Sequence, residues 1–206
     1  MPKKETPLHL LQHFLPPGTY EAVEAYLHQY KIHLTIARQR RSVLGDYRHR
    51  THVHNHRISV NGNLNAYAFL ITLLHEIAHL LCFEQHGNKV AMHGREWKMM
   101  YASLLKQFLE NKIFPADVEK ELLLSLKNPA ASSCAEDDLV RVLRKYDVNK
   151  NDSRLVEEIQ ENSLFRIDNG RLFKRGSLQR KRIKCVEVKT GRVYLFSPVY
   201  EVEVVE

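Results

Sequence analysis

His75-Glu76-Ile77-Ala78-His79 is the stretch from which the rest of the chain is read. On a helix, histidines four apart project from one face with about 5–6 Å between Cβ atoms, so both can reach one metal at roughly 2.0–2.1 Å. Glu76, one position on, sets a carboxylate beside that metal without taking a ligand position. From there it can accept a proton from a zinc-activated water. The pattern implies a zinc hydrolase site.

The flanks predict the helix. Ala66, Phe69, Leu70, Leu73, Leu74, Ile77, Ala78 and Leu81 recur at three- and four-residue intervals as a core-facing stripe, with the histidines at its border. Asn63 or Asn65 can cap its start, and His86-Gly87 with Asn88 can end it. A catalytic zinc keeps three protein ligands and an open fourth position, so a further donor is required. Metzincin spacing would need Gly at 82 and His at 85, where Cys82 and Gln85 stand, which excludes that class. Among Glu84, His86, His93 and Glu96, His93 is preferred, because Gly94 after it permits a tight turn back to the first helix. His86 and Glu96 are the alternatives. A second amphipathic helix follows, with Trp97, Met100, Tyr101, Leu104, Leu105 and Phe108 on one side.

His75-Glu-Ile-Ala-His79, followed by His93-Gly94-Arg95-Glu96-Trp97, resembles the SprT-like zinc metalloproteases, the group that includes the eukaryotic Spartan enzymes. The upstream segments Leu44-Gly45-Asp46-Tyr47-Arg48 and Arg57-Ile58-Ser59-Val60-Asn61 are similar too, so the resemblance spans residues 15–110. It implies an α+β fold, with a zincin-like domain in which a small sheet packs on the HExxH helix. It also implies Zn2+ held by His75, His79 and His93, Glu76 as catalytic base, and cleavage of proteins bound or crosslinked to DNA. Many members carry a zinc ribbon with two cysteine pairs after this domain. Here only Cys185 stands in that region, so a second structural zinc is not expected.

Composition bounds the remainder. A chain of 206 residues with 44% hydrophobic side chains supports one catalytic domain, 1–150, and a small basic β-rich subdomain, 151–206. Met1-Pro-Lys-Lys-Glu-Thr lacks the apolar run of a signal peptide, and no uninterrupted apolar run has the length of a membrane span, so a cytoplasmic protein without membrane contact is expected. Cys82, Cys134 and Cys185 are odd in number and far apart, which speaks for buried thiols rather than a disulfide framework. The sequon Asn151-Asp152-Ser153 carries no weight without secretion.

Thr6-Pro7 opens a short helix to Leu15, Pro16-Pro17-Gly18 breaks it, and Thr19 caps a second helix carrying Tyr20, Val23, Leu27 and Tyr30. Ile32, Leu34 and Ile36 alternate as a strand, and residues 43–47 and 56–60 supply two more. The stretch 56–61 is expected to be the edge strand that holds an extended peptide beside the metal. Arg38, Arg40, Arg41, Arg48, Arg50 and Arg57, interleaved with His49, His52, His54 and His56, read either as a nucleic-acid patch or as a solvated face. His52, His54 and His56, on one side of a strand, would be a weak second metal set.

Pro115-Ala116-Asp117 starts a helix ending near Leu126, Asn128-Pro129-Ala130 breaks it, and Ser132 or Ser133 caps another with Leu139, Val142 and Leu143 inward. Residues 149–153 form a polar linker and 154–160 a short helix. Strands are predicted at 164–167, 171–174, 182–188, 192–196 and 199–205, turning at Asp168-Asn169-Gly170, Gly176 and Thr190-Gly191, as a small sheet or partial barrel. Residues 171–184 hold seven basic side chains and no acid, a concentration beyond what the net charge of +7 predicts. Arg175, Arg180, Lys181, Arg182 and Lys184 are the candidates for DNA contact through phosphates. Two readings follow: a metalloprotease with protein substrates and DNA as partner, or a nucleic-acid-binding module in which zinc is structural. The Glu of the motif favours the first, since a structural site closes with a fourth protein ligand and has no use for it. A zinc peptidase acting on free proteins, without DNA, is a lesser third.

Overall fold

The computed structural model describes residues 7–40, 42–148 and 153–205 and divides into two compact units, one up to Asp147 and one from Val148. Thr6, Arg41, the linker residues 149–152 and with them most of the sequon lie outside the described residues.

The first unit begins with α1 (Leu8–Leu11), continued by a 3-10 turn over Gln12–Phe14, and α2 (Tyr20–Gln29), whose Val23 and Leu27 are buried. Thr19 stands at the start of α2 but spends its hydroxyl on the carbonyl of Pro16, closing the proline turn rather than capping the helix. Three strands follow: β1 (His33–Ala37), β2 (Gly45–Arg48) and β3 (Arg57–Asn61). Their order is β1-β3-β2, with β1 parallel and β2 antiparallel to β3. The expectation for the edge is thereby corrected: β3 is central, and β1 and β2 are the outer strands. Four of the five residues of β3 are buried, including polar Ser59 and Asn61. Buried polar groups need partners, and Arg40 supplies them. Its guanidinium donates to Ser59 Oγ at 2.9 Å and to Asn61 Oδ1 at 2.8 Å, while the Asn61 amide returns a bond to the Arg40 carbonyl.

The sheet packs on α3 (Ala66–His86), the motif helix. Thirteen of its residues are buried, on nearly every side rather than along the one stripe expected. Fully burying a Leu, Ile or Phe is worth about 1.5–3 kcal/mol each, so surrounding contacts, not propensity, hold this helix. Among the described residues, α3 alone is long and apolar enough to cross a membrane, but 72% of its most apolar window is buried inside the unit, as in a core helix. Its start is fixed by Asn65, which accepts from Ala68 N at 2.9 Å through Oδ1 and donates through Nδ2 to the Leu143 carbonyl and to Asp147. Its end is Gly87, at φ +59°, a conformation glycine adopts without strain.

Next come α4 (Arg95–Glu110), packed on α3, then α5 (Ala116–Ser125) and α6 (Asp137–Leu143). The start of α6 falls later than a Ser132 or Ser133 cap would put it: Glu136 is the boundary residue, and its carboxylate accepts from Ser125 Oγ and Ala130 N, tying the intervening loop down.

The second unit is one antiparallel sheet of β4 (Ser153–Leu155), β5 (Leu164–Arg166), β6 (Leu172–Gln179), β7 (Arg182–Glu187), β8 (Val193–Phe196) and β9 (Glu201–Val205), in the order β4-β9-β5-β6-β7-β8. Phe165, Phe173, Ile183, Cys185 and Val202 form its core. The helix expected over 154–160 is instead β4 and a 3-10 turn at Val156–Glu158, because Arg154 pairs with Val202 and Glu158 folds back onto Leu155 N. Gly176 is not a turn. It lies within β6 at a register shift, where a Cβ would sit 2.6 Å from the Lys184 carbonyl, and the chain reverses at Arg180-Lys181. Cys185 is fully buried as expected.

Replacing Asn65 by Ala removes a helix cap and two donated bonds at once, so it should destabilise the first unit by about 1–2 kcal/mol. Urea unfolding measures this; an unchanged midpoint would contradict the role given to Asn65.

Candidate metal centre

The packing of α3 on α4 brings three imidazoles together. His75 and His79 come from α3, and His93 from the loop between the helices; one nitrogen of each lies within 4.8 Å of the others. His75 Nε2 and His93 Nε2 are 3.3 Å apart. Donors at 2.0–2.1 Å from one tetrahedral zinc stand about 3.3–3.4 Å from each other, so this pair already has the separation such an ion requires. Burial pushes His75 down to about 3 and His79 to about 4, with neighbouring imidazoles adding to the effect, and His93 is lowered as well, again chiefly by burial. All three rings are therefore neutral near pH 7, which is the form that binds a metal.

Trp97 is the floor of the cluster. Its ring lies 4.6 Å from His75, 5.1 Å from His79 and 4.7 Å from His93, centroid to centroid, and stacks on Tyr101 at 5.2 Å. The loop reaches Trp97 through a turn in which His93 N and Gly94 N both donate to the Ala91 carbonyl. Gly94 has a negative φ, so its value is space, not backbone freedom: a Cβ there would meet the Ala91 oxygen at 3.0 Å. His86 and Glu96 are not part of the cluster, and neither are His52 and His54, which are exposed in the loop after β2. Among the described residues no second group of metal-ligating side chains occurs.

Glu76 lies beside the imidazoles and is 5% exposed. Burial, reinforced by Asp46 and opposed by Arg40, pushes its carboxyl up to about 8. Room for it exists only because residue 45 has no side chain. A Cβ on Gly45 would stand 2.5 Å from Glu76 Oε1 and 2.8 Å from both Glu76 Cγ and Thr72 Cγ2. Gly45 opens β2, and it is a site residue that the sequence reading had placed only within a strand. The glycine within the Leu-Gly-Asp-Tyr run is the one local signal available for it.

A cleft of about 630 Å³ opens over the histidines. One wall is the outer strand β2 with the segment before it, and another includes Ala131, Ser132 and Ser133 of the loop tied down by Glu136. Of the charged stretch 38–57, Arg40 is committed to β3, while Arg48 pairs with Asp46 at 3.0 Å and Arg50 with Glu84 at 3.1 Å, both with most of the side chain still exposed.

In the second unit Arg180, Lys181 and Arg182 are exposed around the β6–β7 turn, and Lys184 is half-buried. Arg175 does not join them. Its side chain is 14% exposed and pairs with Glu161 at 3.3 Å, because the strand turns it away from solvent. Arg171 is likewise engaged, bonded to Glu187 and lying over the rings of Phe173 and Tyr194.

The first unit thus joins a small sheet and packed helices to a histidine triplet, from α3 and the loop after it, that could hold a metal ion. Residues 19–119, which hold β1 to β3, α3, α4 and the whole cluster, match the model of the SprT-like family. No curated protein and no solved structure matches the chain.

If Glu76 fills the space at residue 45, Gly45→Ala should destabilise the unit by about 1–3 kcal/mol. Adding Glu76→Ala should recover much of that loss, because neighbours sharing one space do not act additively. Equal stability of wild type and Gly45→Ala in urea would contradict the contact.

Proposed function

We propose that the chain is a zinc-dependent metalloendopeptidase of SprT-like type whose substrates are proteins bound or crosslinked to DNA. The observation that carries this reading is the histidine triplet with a buried glutamate at its side, within a unit that matches the SprT-like family model. His75, His79 and His93 fit zinc by donor type and protonation state, and the pair His75 and His93 also by separation. Among the described residues three protein donors rather than four make up the cluster, which favours an open catalytic site over a closed structural one. Bound zinc would supply Lewis-acid chemistry, activating a water and polarising a peptide carbonyl.

The chain's own residues divide the remaining work. Glu76 takes a proton from the attacking water and returns it to the leaving amine; a carboxyl raised toward neutrality by its surroundings is suited to both directions of that transfer. The outer strand β2 has a free edge in its sheet and lines the cleft, so an extended substrate segment can pair with its main chain and cross the metal centre. This task, expected of β3, thus passes to β2. Trp97 holds the three imidazoles in place during turnover.

DNA contact is assigned to the β6–β7 turn of the second unit, where Arg180, Lys181 and Arg182 stand exposed without a neighbouring acid in sequence, with Lys184 beside them. Lysine and arginine there would neutralise phosphates and release counterions, giving affinity without sequence preference.

The test of proteolysis compares zinc-loaded wild type and Glu76→Gln on a basic DNA-binding protein, with and without single- and double-stranded DNA. Cleavage by wild type alone, rising with DNA, is expected. Zinc-bound wild type that cleaves nothing would favour the nucleic-acid-binding module with structural zinc. His93→Ala should lose both zinc and activity; metal content equal to wild type would remove His93 from the ligand set.

Lys181 and Arg182 changed together to Glu should weaken DNA binding and lower the slope of log affinity against log salt by about 2. The same affinity and slope in fluorescence anisotropy would remove DNA contact from this turn.

A further inference from the structure

Behind the cleft wall lies a group of titratable side chains that the proposed chemistry does not use. Tyr47, in the outer strand β2, sets its ring parallel to the His79 imidazole, at 6.3 Å between centroids and 4° between planes. Its hydroxyl points the other way, to Nδ1 of His56 at 3.0 Å. His56 is 3% exposed, and its Nε2 lies 3.2 Å from Glu84 Oε1. Arg50 Nε reaches the same carboxylate oxygen at 3.1 Å.

The directions of these bonds follow from one contact. The backbone N–H of Arg50 also meets His56 Nδ1, at 3.3 Å, and a backbone N–H can only donate. Nδ1 is therefore the unprotonated nitrogen and Tyr47 must donate to it. The ring's proton then sits on Nε2 and is given to Glu84. Burial keeps the His56 ring below its ordinary range against the pull of Glu84, and burial likewise raises the Tyr47 phenol, so the ring is neutral and the hydroxyl retains its proton. The chain reads Tyr47 O–H to His56 Nδ1, and His56 Nε2–H to Glu84, with Arg50 closing the far end. Glu84 sits on α3, five residues beyond His79, so these bonds tie the cleft-lining strand to the helix that carries the metal ligand.

We propose that Glu84, His56 and Tyr47 form an oriented hydrogen-bond chain that positions His79 for its metal, with Tyr47 a positioning residue acting through the His79 ring. The inference rests on the reading of His75, His79 and His93 as a metal site and extends it. Imidazole ligands need their ring plane fixed, most often by a hydrogen bond from the second nitrogen. For His79 the parallel face of Tyr47 performs this, and Glu84 matters by selecting the His56 tautomer that keeps Tyr47 in place. Without the carboxylate only the Arg50 N–H still favours that tautomer, so the His56 ring is held less firmly and the acceptor of Tyr47 with it.

Co2+ is the probe, since its visible absorption reports both affinity and ligand geometry in the full chain. Tyr47→Phe and Glu84→Ala should each weaken Co2+ binding about tenfold, within the range seen when groups supporting a metal ligand are removed, and should alter the absorption bands. Glu84→Gln, which keeps an acceptor for His56 Nε2–H, should recover most of the affinity. Circular dichroism identifies variants that fold. Nitrogen-15 NMR of the wild type reads the tautomer of His56 without any substitution, and a ring protonated on Nδ1 would overturn the chain. Wild-type Co2+ affinity and bands in folded Tyr47→Phe and Glu84→Ala would overturn the positioning role while leaving the metal site intact. Failure of the wild type to bind Co2+ would overturn the metal reading and this inference with it.

Discussion

Two neutral imidazoles and a carboxyl sit in a helix whose other contacts are almost all apolar, a third imidazole reaches them from the following loop, and the first unit is built to tolerate them. Leu70, Leu73, Leu74, Ile77 and Leu80 are fully buried on the same helix that carries His75 and Glu76, themselves 4% and 5% exposed. Polar groups withdrawn from water this far cost free energy unless they find partners. A cation between His75 and His93, whose nitrogens face each other at 3.3 Å, would supply such a partner for the rings. The absence of a side chain at Gly45 supplies room for the carboxyl. Trp97 turns the arrangement into a rigid one by touching all three rings from α4.

This constraint explains the surroundings. β3 is the buried middle of its sheet and carries Ser59 and Asn61, so Arg40 must lie along it, and Arg40 is also the cation that opposes the rise of the Glu76 carboxyl. β2 is left as an outer strand, with Gly45 toward Glu76 and Tyr47 toward His79. The support of the fold and the preparation of the site thus share Arg40.

What could be read in advance was local. The apolar periodicity of 66–81, the Asn65 cap and the Gly87 stop are short-range signals, and α3 has the limits they imply. His93 beside a glycine, four residues before Trp97, was enough to find the third imidazole. What escaped depends on pairing between distant segments. The parallel match of β1 with β3 places β3 in the middle, and nothing within 56–61 encodes that neighbour. Residues 154–160 have a helix-compatible composition, yet Arg154 is taken up by Val202, far along the chain. Gly176 looked like a turn because glycine usually marks one, whereas here it makes room for the carbonyl of the facing strand. Gly45 and His56 were visible as residues but not as partners of Glu76 and Tyr47, since those contacts exist only once the sheet meets α3.

The central claim is that His75, His79 and His93 hold one zinc with a position left open for water. X-ray absorption at the zinc edge of the purified chain tests it most directly. The account predicts one zinc per chain with three imidazole nitrogens at about 2.0–2.1 Å and one further oxygen. Sulfur in the coordination shell, or a shell closed by four protein ligands, would contradict it.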